Sequence, residues 1–154
     1  MATTAGSEKT ISIGGTETER LSIRPASELS VFVVFTSVNW TLRALEKARE
    51  IARPLGVNIA VIAIQVVPYP LPLDSPPVPM EFVVRRFEER AGEFSERTKV
   101  SAYLCRDPLE ALKRILNPDC PAVMGIRKRW WPTRDQRLAR KLRRAGYDII
   151  LVEE

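Results

Sequence analysis

The strongest constraint on the fold is the alternation of apolar runs with amphipathic stretches between residues 30 and 152. Residues 30–36 read SVFVVFT and residues 57–67 read VNIAVIAIQVV, both apolar at successive positions and rich in β-branched residues. A strand with one wet face alternates apolar and polar residues. An uninterrupted run therefore means burial on both faces, as in a parallel sheet. Shorter runs of the same kind follow at 99–104, 122–125 and 148–152. Between the runs the spacing turns helical. Leu42, Leu45, Ala48, Ile51 or Ala52, and Leu55 share one side of a helix, with Arg43, Lys47 and Glu50 opposite. Asn39 or Thr41 is expected to cap that helix, and Pro54 and Gly56 to mark its end. A second helix is expected over 80–97, with Phe82, Val83, Phe87, Ala91 and Phe94 inward. Asp107-Pro108-Leu109-Glu110 opens a third: an N-cap, a proline at the first position and a glutamate placed to complete a capping box. Its Leu109, Leu112, Ile115 and Leu116 face inward, and Asn117-Pro118 stops it. Thr133 and Gln136 form the capping box of a fourth helix, which Gly146 ends.

The order is thus βαβαβαβαβ. Right-handed crossovers then place helices on both faces of the sheet. The expected fold is α/β, a doubly wound open parallel sheet of five strands. Ligands in such sheets bind outside the carboxyl ends of the strands, where strand order reverses. Residues 29–154 are expected to form this one domain. Residues 1–28 are polar and rich in Thr, Ser and Gly. They are expected to be a flexible tail, because so few apolar residues cannot offset the entropy of ordering. Ile11 and Ile13 alternate, so a short extra strand or hairpin around Gly14-Gly15 is the alternative. Residues 68–79 hold six prolines in twelve positions, which excludes helix and central strand and makes a stiff, extended excursion.

Composition narrows the chemistry. The chain has no histidine, which removes Ser-His-Asp and Cys-His nucleophiles and most zinc sites. Cys105 and Cys120 are read as small buried thiols in a reducing compartment. The N-terminal stretch MATTAGSEKTISIGG lacks the basic start and apolar block of a secretory signal, and no apolar run approaches the length of a bilayer span. A cytoplasmic location is expected. The excess positive charge is concentrated late in the chain. Between Arg127 and Arg144 there are nine Lys or Arg residues against one acid, Asp135.

At this level the chain resembles the universal stress protein family over residues 30–153. VFVVFTSVNWTLRALEKA (31–48) is similar to the family's opening strand and helix. Arg106-Asp107-Pro108-Leu109-Glu110-Ala111-Leu112 resembles its D-P-x-x-A-I segment, and AVMGIRKR its fourth strand and following loop. The Arg-Trp-Trp-Pro-Thr-Arg continuation is similar to stress-protein-like segments of some sensor kinases. The resemblance implies a three-layer α/β/α fold with strand order 3-2-1-4-5, a regulatory or binding role, and a homodimer joined through the last strand, residues 148–152. ATP-binding members carry an Asp after strand 1 and a G-x2-G-x9-G-[ST] run after strand 4. Here the Asp position is Thr36, the first Gly is Gly125, the second falls on Lys128, and the last pair on Leu138-Ala139. The glycines that let backbone N–H groups wrap phosphate are missing apart from Gly125.

A phosphate-bearing ligand, ATP or another nucleotide, is therefore expected to rely on side-chain cations. The candidate residues are Thr36, Ser37, Asn39, Gly125, Arg127, Lys128 and Arg129, across the crevice between the first and fourth strands. Trp130 or Trp131 could stack on a base; the competing reading packs them as a cap on the sheet. A second class of function uses the basic helix (Arg134, Arg137, Arg140, Lys141, Arg143, Arg144) to hold nucleic acid or an anionic membrane surface. A third is weak nucleotide hydrolysis, for which Asp74, Asp107 and Asp119 are the carboxylates near loops. No acid–base pair converges in the sequence, so binding rather than catalysis is expected, with no metal.

Overall fold

The computed structural model describes residues 9–12, 29–67, 80–91 and 98–153. The elements are β1 (Lys9–Ser12), β2 (Ser30–Val34), α1 (Val38–Leu55), β3 (Asn58–Val66), α2 (Met80–Ala91), β4 (Thr98–Cys105), α3 (Pro108–Ile115), β5 (Ala122–Ile126), α4 (Arg134–Arg144) and β6 (Ile149–Glu153). They build one sheet in the order β1-β4-β3-β2-β5-β6. The strands from β2 to β6 are parallel, in the expected order 3-2-1-4-5.

One strand is added to that expectation. Lys9–Ser12 pairs antiparallel with β4, setting Lys9 opposite Leu104 and Ser12 opposite Ser101. This short segment falls inside the stretch read as a flexible tail, and it is the short extra strand that the alternation of Ile11 and Ile13 offered as the alternative. The open edge of β4 offers it a ladder of backbone partners that no residue count within the tail reveals. The proline-rich stretch 68–79 lies outside the described residues, as do residues 92–97 of the expected second helix.

Successive positions of the central strands feed two cores. Val31 and Val33 of β2, Val61 and Ala63 of β3 and Val123 of β5 pack under α1 and α2, with Ala44, Leu45, Ala48, Val84 and Phe87. Val34, Ile62, Ala122 and Met124 point to the other face and meet Leu112 and Leu116 of the α3 region and Ala139 and Leu142 of α4. This is the three-layer arrangement that runs buried on both faces require. Phe35 and Phe87 meet edge to face at 5.5 Å between ring centroids, fastening the end of β2 to α2.

Three local expectations are corrected. Ser37, in extended conformation, caps α1 by accepting from Trp40 N, whereas Thr41 is fully buried one turn in. Phe82 is exposed, and the inward side of α2 is carried by Val84 and Phe87. Leu55 is also exposed, because α1 has reached its C-terminal end beyond the sheet contact, where Gly56 closes it at a left-handed φ of 64°.

Candidate functional site

The order of strands reverses between β2 and β5. From β2 the chain crosses to β3 and then β4, then returns to β5 on the other side. The carboxyl ends of β2 and β5 flank that reversal, with β3 beside β2, and the first turns of α3 and α4 border the opening. A cavity of about 730 Å³ occupies this place. Its floor is apolar, from Val34, Ile64, Met124 and Leu112, and Thr36 and Gln65 add polar groups from the ends of the two strands. Arg134, Arg137 and Lys141 of α4 line it on one side, at a spacing of three and four residues that puts them on one helical face.

Two carboxylates also line it, Asp107 and Asp135. Asp107 is committed to its helix, its Oδ1 accepting from Leu109 N at 3.0 Å and Glu110 N at 3.4 Å. Burial raises the pKa of Asp135 above the ordinary carboxylate value, and the nearby Arg134 guanidinium only partly opposes this. Arg134, Arg137 and Lys141 are exposed and outnumber the two carboxylates at the opening. An anionic ligand with an apolar or aromatic body fits a cavity of this build.

Among the residues expected from the sequence, Thr36 lines the cavity. It is held from both sides: its N–H donates to Thr41 Oγ1 at 3.1 Å, and its Oγ1 donates to the Gly125 carbonyl at 2.6 Å. The first bond ties the end of β2 to α1, and the second ties it to β5 across the reversal. Ser37 is spent on capping α1. Asn39 accepts from Arg90 Nη1 at 2.7 Å, on the side of the sheet where α1 meets α2. Gly125 faces α1 rather than the cavity. A Cβ built there would lie 2.0 Å from the carbonyl oxygen of Trp40, so the glycine is explained by helix packing. Arg127, Lys128 and Arg129 sit exposed in the loop after β5. With Trp130 and Trp131, both exposed, they stand away from the cavity, and the reading of the tryptophans as a cap on the sheet is corrected.

The sequence reading missed Gln65, Ile64 and Asp135 and assigned Arg134, Arg137 and Lys141 to a general basic helix. A signal existed for the cations: Thr133 starts the helix that follows the loop after a strand, so basic residues in its first two turns lie near the sheet's carboxyl edge. For Gln65, one polar residue late in an apolar strand, the signal was present but indistinct. Asp119 is exposed beyond α3, and Asp74 lies outside the described residues. Among the described residues, no three or more of His, Cys, Asp or Glu come together as a metal site would need.

No protein-family model matches the chain, and no curated protein does either. Among solved structures, the chain is similar to the crystal structure of a universal stress protein in complex with cAMP. The TM-score is 0.51 at 16% identity, and the match covers 82% of this chain and 98% of that one. The chain has the universal stress protein fold. At this identity the likeness speaks for the backbone path, and the coverage shows that the path is shared over nearly the whole of the other domain. No helix among the described residues is long and apolar enough to cross a membrane.

Proposed function

We propose that this chain is a regulatory protein of the universal stress protein type that binds a small phosphate-bearing ligand, a nucleotide foremost, in the cavity at the carboxyl ends of β2 and β3. The observation that carries this reading is the cavity's position and build. It opens where strand order reverses, with an apolar floor for a base and Arg137 and Lys141 placed for phosphate. The solved universal stress protein of the same fold, captured with cAMP, supports it. Side-chain cations take over from the missing glycine loop, and no catalytic group is assigned a step, so the protein acts by binding rather than turnover. Two buried cysteines with free thiols, Cys105 and Cys120, fit a cytoplasmic setting.

Thermal melting and native mass spectrometry with ATP, ADP, AMP and cAMP test this reading. The expected outcome is a melting shift for at least one of them. The double substitution R137A/K141A should weaken its binding about a hundred- to ten-thousandfold, since charge-assisted hydrogen bonds contribute roughly 1.5–3 kcal/mol each. Melting curves unchanged by millimolar amounts of all four would remove the proposal.

A further inference from the structure

The loop between β5 and α4 presents a feature that the cavity does not use. Trp130 is 92% exposed and Trp131 77% exposed, side by side in the chain. Among the described residues, the other large exposed apolar ones, Leu29, Leu55 and Phe82, lie singly at separate places in the chain. Indoles are normally among the most profitably buried side chains, so two left in water mark a contact surface. Arg127, Lys128 and Arg129 precede them, all exposed. The whole stretch from Arg127 to Arg144 carries nine cations against one acid.

From this arrangement we propose that the Arg127–Trp131 loop is a peripheral docking site for an anionic lipid surface. Shape and charge both favour this partner. Tryptophan prefers the headgroup level of a bilayer, where its ring is desolvated and its N–H still finds a partner. Basic side chains beside it are drawn to acidic headgroups. A single-stranded nucleic acid would need rings laid along a basic groove that tracks its backbone. Here Arg129, Trp130, Trp131, Pro132 and Thr133 border one small local hollow rather than a long groove, and a pair of exposed indoles beside three exposed cations suits a planar, deformable surface. The chain has no spanning helix among its described residues, so the attachment is superficial and reversible.

The full chain is mixed with vesicles of phosphatidylcholine alone, or of phosphatidylcholine with phosphatidylserine, and followed by co-sedimentation and tryptophan emission. Binding to the serine-lipid vesicles is expected, with a blue-shifted emission and weakening by salt. The third tryptophan, Trp40, lies on α1 with the Arg43 guanidinium 4.8 Å from its ring and serves as a constant background. The variant R127Q/K128Q/R129Q should bind about a hundredfold more weakly, since each cation at an acidic leaflet multiplies affinity roughly fivefold. W130A/W131A should abolish the emission shift. All five positions are exposed, and melting curves verify that each variant is folded. The proposal is overturned by no sedimentation with acidic vesicles at low salt, by sedimentation that W130A/W131A leaves unchanged, or by binding to a single-stranded oligonucleotide in place of vesicles.

Discussion

Gly125 shows how a residue can match a binding motif for a reason unrelated to binding. It is the one glycine retained from the phosphate-cradling pattern, yet it faces α1, and the atom a methyl group would strike is the main-chain oxygen of Trp40. A rotamer change cannot relieve a clash with backbone. Gly125→Ala should therefore destabilise the fold by about 2–3 kcal/mol, the upper part of the range for overpacking, as read from the urea midpoint. Asp135 permits a second residue-level prediction. Its folded pKa is raised by burial, so the folded protein resists its ionisation more than the unfolded chain does. The resulting penalty is absent below the unfolded pKa, grows as pH rises through the window up to the folded value, and stays constant above it. Relative to the native chain, Asp135→Asn should gain stability as pH climbs through the carboxylate range. Denaturation midpoints of both proteins at several pH values check the sign.

At the scale of elements, the helix ends govern where the cavity's cations stand. The capping box of α4 is reciprocal: Gln136 N donates to Thr133 Oγ1 at 3.3 Å, and Thr133 N donates to Gln136 Oε1 at 2.9 Å. It sets the first turn, and with it Arg134 and Arg137, beside the opening. Thr133→Ala should cost about 1 kcal/mol and appear as a lower thermal midpoint. The start of α1 was harder to read. Ser37, Asn39 and Thr41 are all competent caps, and residue type alone cannot choose among them. The extended backbone at Ser37 makes the choice, and burial then gives Thr41 a different task, accepting from Thr36 N.

The molecule as a whole has unequal edges. On one side β1 lies along β4 and supplies its backbone partners. On the other, β6 pairs only with β5 among the described residues, and its Ile150, Leu151 and Val152 are half-buried. A short apolar edge strand of this kind invites a second copy. A homodimer through β6 is expected, and light scattering at micromolar concentration measures it. A strict monomer would contradict the pairing.

The local order of the chain was determined by the sequence itself. Nearly continuous apolar runs in residues 30–36 and 57–67 call for strands covered on both faces. Asp107-Pro108 and Thr133-Gln136 announce their helices because capping is a contact between near neighbours. Strand order came with the resemblance, and the pairing of β2 with both β3 and β5 bears it out. What only the tertiary structure decided is which residues meet across long separations. Thr36 bonds to Gly125, Asn39 turns toward Arg90, and Lys9–Ser12 finds the edge of β4. The basic segment that looked like one ligand site is divided by the turn into α4. Arg134, Arg137 and Lys141 go to the cavity, while Arg127 to Trp131 go to open solvent. Periodicity records which face of an element a residue occupies. It carries no record of what stands opposite, because that is set by how the layers pack.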